Sequence, residues 1–385
     1  MLSYLFSFDS GILTYVSFLI TNIAIYAMFG LGLNLQWGFT GLINFGVAGF
    51  VAVGAYGTVV FSMRGFPLPI AMMVGGLLAA IFGLGLGIAT LRLREDYLAI
   101  VTIGAAELVR LVINNESLVD GKPGAIGING FPLPLANFRP DIFTRYGMVL
   151  LLTGVFGLAL WKLGHWYRRR FRGQSASVQE SSNKVWITAV SVLGALVILR
   201  ADVVVTIAML NFKDNQVVNG LLFCSVLMAA LVFLLVETLV RSPWGRVLKA
   251  IREDEEVAKA LGKNVFSYKL QSLMIGGFIT GIGGAFYAWQ QSNVYPDNFK
   301  SDLTFNVWIL MVLGGAGSNP GVAIGAAIFW IYTTLTRDLS KLFPMVPTSQ
   351  IDAFRMVFIG LLLIGLMVWR PQGLLGNRDE LTLGK

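Results

Sequence analysis

The chain has 385 residues, 56% of them hydrophobic and only 13% charged, with a mean hydropathy of +0.71. A soluble domain carries about 25% charged residues, so composition excludes a soluble globular protein and specifies a polytopic membrane protein. The net charge of +8 does not indicate nucleic acid, because the basic residues lie in turns between apolar runs, where cytoplasmic retention of Lys and Arg accounts for them.

Runs without a charged residue extend over 10–63, 65–91, 270–296 and 303–336, and one membrane helix needs about 20 apolar residues. In chain order, the apolar pattern predicts spans at 11–35, 46–63, 67–91, 97–114, 145–162, 185–207, 217–240, 268–291, 304–336 and 352–369. The expected fold class is an all-α polytopic integral membrane protein. It has about 8–10 transmembrane helices, with Gly/Pro-broken or re-entrant segments. Residues 1–385 are expected to form a single transmembrane domain. The N-terminus lacks a basic n-region and a small-residue cleavage site, so 11–35 reads as a first span and not as a cleaved signal.

The first uncharged run carries a polar string, Asn34, Gln36, Thr40 and Asn44, among Gly38, Gly41 and Gly46. Two readings stand for it: interhelical hydrogen bonding, or the lining of a translocation pathway with Gln36, Asn44 and Gly46 as candidates. Arg92 and Arg94 then mark a basic turn. Within 97–114, Thr102 is a further pathway candidate. Glu107 and Arg110 are three residues apart and share a helix face. They form either an anchoring ion pair or a polar contact in which Glu107 meets the pathway.

The loop 115–144 is rich in Gly, Pro and Asn and predicts ordered turns. Residues 163–184 read as a flexible basic loop. Residues 162–184 hold six Lys/Arg against one acid, and 241–269 hold seven Lys/Arg. Alternating the spans places both loops, with Arg92 and Arg94, on the cytoplasmic side. His165 and Cys224 are each single in the chain, so no intrachain disulfide and no cluster of nitrogen and sulfur metal ligands is expected. No cofactor is implied.

Residues 241–269 form a charged island between apolar segments. Leu248, Ile251, Val257, Ala258 and Leu261 are spaced to line one side of a short helix, and Gly262 is placed to end it. Such an amphipathic insertion suits docking of a soluble motor subunit. Arg252, Glu253, Asp254, Glu256, Ala258 and Gly262 are its candidate coupling residues. Neither Gly121-Lys122 nor Gly262-Lys263 has the glycine spacing and following Ser/Thr of a phosphate-binding loop, so any ATP hydrolysis is expected on another chain.

Late in the chain, Gly314–Gly321 interrupt the run 304–336, which predicts two unequal helical pieces, one of them re-entrant. Asn319-Pro320-Gly321-Val322-Ala323 echoes Asn44-Phe45-Gly46-Val47-Ala48. Paired Gly/Pro interruptions point to translocation sites in transporters, which adds Asn319 and Gly321 to the candidates.

Several stretches together resemble the LivM-type permeases of branched-chain and neutral amino-acid ABC importers. They are Leu33–Gly46, Leu91–Thr102 followed by Glu107 and Arg110, Asp120–Ile128, Ala250–Glu255, Val312–Ser318 and Arg370–Leu374. Val47 departs from the His common in that family, and 162–184 is longer and more basic. The resemblance implies a transport subunit without covalent chemistry in the bacterial inner membrane. It also implies a homologous second permease subunit (LivH-like), two cytoplasmic ATP-binding subunits, an extracytoplasmic amino-acid-binding protein and membrane lipid as partners. A urea or short-chain amide permease shares these features. An ion-coupled secondary transporter would use Glu107 and the broken segments but leaves 244–262 unexplained.

Overall fold

The computed structural model describes residues 10–91, 95–119, 122–123, 126–171, 178–342, 354, 357–361, 364–365, 368 and 373–375. Arg92 and Arg94, residues 172–177, much of the expected span 352–369 and the stretch 370–372 lie outside the described residues.

The helices follow the apolar runs. In order they are α1 (Ser10–Leu33), α2 (Val47–Met63), α3 (Leu68–Thr90), α4 (Glu95–Asn115), α5 (Ile142–Phe171), α6 (Val178–Leu210), α7 (Gln216–Arg241), α8 (Pro243–Glu253), α9 (Glu255–Ala260), α10 (Val265–Gln291), α11 (Ser301–Gly314) and α12 (Asn319–Leu342). Among the described residues, six helical segments are long and apolar enough to cross a membrane, and α11 with α12 forms a further pair bent by 118°. The all-helical membrane architecture expected from the sequence is what the structure shows.

Among its described residues, the stretch 116–141 between α4 and α5 carries short strands and turns. Ser117–Val119 pairs with Lys122–Pro123, and Ile128–Asn129 pairs antiparallel with Asn293–Val294. The segment 163–184 differs from its expectation as a loop. Helix α5 continues to Phe171 and α6 begins at Val178, so both ends are helical. Arg, Lys, Gln and Glu are good helix formers, and they extend the backbone helix past the apolar stretch that marked the span.

The chain divides into two compact units: residues 1–21 with 134–230, and residues 22–133 with 231–385. In the first, α5 and α6 pack together, and Arg145 Nη1 donates to the Leu210 carbonyl at 2.9 Å. The second holds the features of interest. Its centre is the trio α2, α3 and α10, packed through glycines. A methyl group on Gly54 would lie 2.2 Å from the Gly281 carbonyl oxygen, so α2 and α10 approach backbone to backbone. Without a hydrophobic driving force between helices in lipid, such close van der Waals packing is what holds them. Facing away from this centre, Leu77, Ile81 and Ile88 of α3 and Ile100, Leu108 and Val112 of α4 are exposed, as a bilayer-solvated surface requires.

Candidate functional site

The charged island forms two helices, not one. Ser242 caps α8, accepting a hydrogen bond from Gly245 N at 3.4 Å, and Pro243 fills the first helical position, where its missing N–H costs nothing. Helix α8 stops at Asp254, whose backbone is extended (φ −155°, ψ 108°). The same Asp254 then caps α9, its Oδ1 accepting from Glu256 N at 2.9 Å and Val257 N at 3.0 Å.

This break resets the helical phase and corrects the expected apolar stripe. Leu248, Ile251 and Ala258 are buried, and Ile251 and Ala258 share a small core with Val265, against which Val247 and Tyr268 pack. Val257 and Leu261 instead face outward, 54% and 73% exposed. Gly262 ends α9 as expected. Its φ is +75°, Gly262 N donates to the Lys259 carbonyl at 2.9 Å, and Lys263 N donates to the Ala258 carbonyl at 3.1 Å.

The pair α8–α9 is tied to α10 by charge. Buried Lys269 donates to Glu255 Oε2 at 2.6 Å, and Lys259 reaches Glu255 at 3.1 Å and Glu256 at 3.0 Å. Glu255 and Glu256 stand four and three residues before Lys259, the spacings that bring side chains together on a helix. Burial pushes the Glu255 carboxyl upward, but hydrogen bonds from Lys269 and Lys259 outweigh it and hold the group below the usual carboxylate range. Glu253, Asp254, Glu256, Val257, Lys259, Leu261, Gly262 and Lys263 are all exposed. The exposed surface of the segment therefore carries charges of both signs beside apolar side chains.

The opposite side of α8 touches the first break. Helix α1 ends in a wide turn, with Phe39 N donating five residues back to the Asn34 carbonyl at 3.0 Å. Such π turns cluster at functional sites. Arg252 Nη1 donates to the Gly38 carbonyl, a side-chain-to-backbone contact across 214 residues, and Lys249 Nζ sits 5.5 Å from the centre of the Phe39 ring. Arg252 is half-buried there.

Above this contact lies a buried polar junction. Gln36 Nε2 donates to the Leu273 carbonyl at 3.1 Å, and Asn44 Nδ2 donates to Gln36 Oε1 at 2.7 Å. Asn44 Oδ1 accepts from Gly46 N at 2.7 Å, and the Asn44 carbonyl accepts from Trp308 Nε1 at 3.0 Å. Thr40 and Ser272 share a hydroxyl hydrogen bond of 2.7 Å. Thr102 Oγ1 accepts from Phe45 N at 3.1 Å, and a methyl on Gly46 would lie 2.5 Å from the Thr102 carbonyl oxygen, so α4 closes directly on the break. Gln36, Asn44, Gly46 and Thr102 are thus brought together, their side chains bonded to one another or to neighbouring backbone.

The second break joins the same junction. Gly315 (φ +107°) and Gly317 (φ +75°) turn the chain between α11 and α12. The Leu313 and Gly314 carbonyls at the end of α11 accept from Leu374 N and Leu375 N at 3.1 and 3.0 Å, so the C-terminal Gly373–Leu375 turn satisfies groups that a helix end leaves open. Asn319 opens α12, and Asn34 Nδ2 donates to Asn319 Oδ1 at 2.9 Å. Gly321 packs against Gly314, a methyl there lying 2.5 Å from its carbonyl oxygen. Both echoed segments therefore stand where a helix restarts after a break.

Glu107 does not join them. It accepts from Arg110 at 2.5 Å, and Arg110 also reaches Asp297 at 3.1 Å. Of the two readings the sequence left open, the geometry places Glu107 in an anchoring ion pair beside the turn Pro296–Phe299.

Sequence reasoning passed over Lys269, Trp308 and Glu237. Glu237 is the single acidic residue of 216–240, and a carboxylate inside an apolar helix was itself the signal.

Residues 15–367 match the protein family described as the permease component of branched-chain amino acid transport systems. The chain belongs to that family. The permease is 30% identical over 361 residues to the high-affinity branched-chain amino acid transport system permease protein LivM of Escherichia coli K12, covering 93% of this chain and 70% of that protein. It is 26% identical over 381 residues to the probable LivM of Methanocaldococcus jannaschii, covering 95% of each chain. A more distant relative, the nucleoside ABC transporter permease protein NupC of Lactococcus lactis, is 21% identical over 302 residues, 77% of this chain and 73% of that protein. No solved structure matches the chain. The permease is a membrane-spanning transport subunit of a branched-chain amino-acid ABC importer.

Proposed function

We propose that the permease works in the bacterial cytoplasmic membrane beside a homologous LivH-like permease subunit. It receives branched-chain and other neutral amino acids from an extracytoplasmic binding protein, and two cytoplasmic ATP-binding subunits drive it. Helices α8 and α9 are the coupling element. Their exposed charged and apolar surface, with Glu253, Asp254, Glu256, Val257 and Leu261, receives the ATP-binding subunit. Arg252, on the other side of α8, passes the displacement to the Gly38 carbonyl and so to the polar junction.

The observation that carries this reading is the Arg252–Gly38 contact. It joins the charged helix α8 directly to the broken end of α1. Closure of the ATP-binding subunits moves α8, and α8 moves the turn after α1. Gln36, Asn44 and Thr102 then exchange partners as the two breaks change their relation. The junction is buried and hydrogen-bonded within the protein, and a packed network of this kind switches between discrete arrangements more readily than it deforms continuously.

The test of the substrate is uptake of labelled leucine, alanine, proline and urea by cells that carry or lack this gene with partner subunits intact. Loss of amino-acid uptake alone is the expected result; loss of urea uptake alone would overturn the substrate and leave the coupling element in place.

A further inference from the structure

A second route from the coupling helix to the breaks runs through α7, which enters α8 after the single residue Ser242. Glu237 lies near that end of α7, with its side chain 17% exposed. One carboxylate oxygen accepts from the exposed Arg241, one turn on, and the other, Oε2, accepts from Asn319 Nδ2 at 2.9 Å. Asn319 Oδ1 accepts in turn from Asn34 Nδ2 at 2.9 Å, and Asn34 Oδ1 accepts from Gly317 N at 2.9 Å. The chain of bonds therefore starts on the helix that leads into α8, crosses both breaks and ends on the backbone of the second.

Its direction is set at both ends, by a carboxylate that only accepts and by Gly317 N, which only donates. An ionised carboxylate only accepts hydrogen bonds, whereas each amide both donates and accepts. Glu237 obliges Asn319 to turn its NH2 group toward α7 and its oxygen toward Asn34. Asn34 must then donate to Asn319, which leaves its own oxygen for Gly317 N. Removing the carboxylate takes the acceptor from the Asn319 NH2 group and leaves Gly317 N alone to order the two amides, so the breaks lose their tie to α7.

We propose that Glu237 is a positioning residue of the transport cycle: it orders Asn319 and Asn34, and through them it makes both breaks follow α7 and α8 as one body. This rests on the reading of α8–α9 as the coupling element and adds a second arm to it. Arg252 acts on the first break from below α8, and Glu237 acts on the second from the end of α7. A single arm would move one break against the other.

The experiment uses the assembled importer in proteoliposomes and measures ATP hydrolysed per leucine transported, for Glu237→Leu, Glu237→Gln, Asn319→Leu and Arg252→Ala. Loss of a hydrogen bond to a charged group is expected to raise the ratio about tenfold in Glu237→Leu. Asn319→Leu, which removes the same contact from the other side, should raise it similarly. Glu237→Gln, whose amide oxygen can still accept from Asn319, should stay within about twofold of wild type. A purely structural role would lower the amount of assembled importer without changing the ratio in what assembles. If no assembled Glu237 or Asn319 variant shows a raised ratio while Arg252→Ala does, the second arm is overturned and the coupling helix stands. If Arg252→Ala also leaves the ratio unchanged, the coupling reading itself fails.

Discussion

Gly262 offers a perturbation whose size can be worked from the structure. Its φ of +75° lies in the left-handed region, and a Cβ built there meets nothing within 4 Å. Substitution therefore costs backbone strain without a clash inside this chain. Left-handed backbone costs a residue with a Cβ about 1–2 kcal/mol, and asparagine tolerates it best. An effect of about 1–2 kcal/mol is a factor of roughly 5–30 in a local equilibrium, here that between α9 docked on α10 and α9 released. That is too little to prevent membrane insertion and enough to weaken coupling. Gly262→Asn should be mildest, Gly262→Ala intermediate, and Gly262→Arg, which also adds bulk and charge to the exposed face, should abolish transport. The assay is ATP-driven leucine uptake by the reconstituted importer, with membrane content of each variant measured alongside. Wild-type uptake by Gly262→Arg would refute the reasoning. So would uptake that persists without ATP and responds to a proton gradient.

Further expectations follow from packing and charge. Gly54→Leu should eliminate folded permease from the membrane, because its side chain would run into the Gly281 backbone, whereas Gly85→Ala, with nothing within 4 Å of its added Cβ, should leave yield and thermal stability near wild type. Glu107→Gln should leave leucine uptake and its pH profile unchanged, since its carboxylate is bonded to Arg110 and not to the junction; collapse of uptake would restore the ion-coupled reading. The carboxyl of Glu255 is held below 4.5 in the folded chain, so its attachment of α9 is present above the unfolded value and is lost as pH falls through the folded one. A fluorophore on Leu261→Cys in a Cys224→Ala background should report steady emission from about pH 8 to 5 and a change only in more acidic solution. In Lys269→Met that change should move to higher pH, and a transition near neutrality in the unsubstituted protein would contradict the assignment.

The spans were legible because a lipid-crossing helix announces itself in about 20 consecutive apolar residues, a signal that needs no tertiary information. The breaks at 34–46 and 314–321 were legible for the same reason in reverse, since polar and glycine residues stand out inside such runs. The phase of the coupling segment was not. Glu253-Asp254-Glu255-Glu256 reads as a continuous helix surface, and only the geometry reveals that Asp254 leaves the first helix and caps the second, turning Val257 and Leu261 outward. Glu107 was ambiguous because Arg110 is its neighbour in sequence, while Asp297, 187 residues from Arg110, is not. The Asn34–Asn319 bond spans 285 residues, and the echo between the two breaks was the only trace of it in the sequence. Glu237 was visible as a carboxylate in an apolar helix, but its role depends on partners from two other helices.

The account stands or falls on whether α8 drives the break after α1 through Arg252. The direct measurement compares leucine uptake and ATP hydrolysis in proteoliposomes holding wild type, Arg252→Lys or Arg252→Ala permease with all partner subunits. Loss of a hydrogen bond from a charged donor costs about 1.5–3 kcal/mol, so Arg252→Ala should keep its ATP hydrolysis while uptake falls at least about tenfold. Arg252→Lys should fall between the two, because its ammonium keeps the charge without the planar fork. Equal transport per ATP in all three would contradict the account.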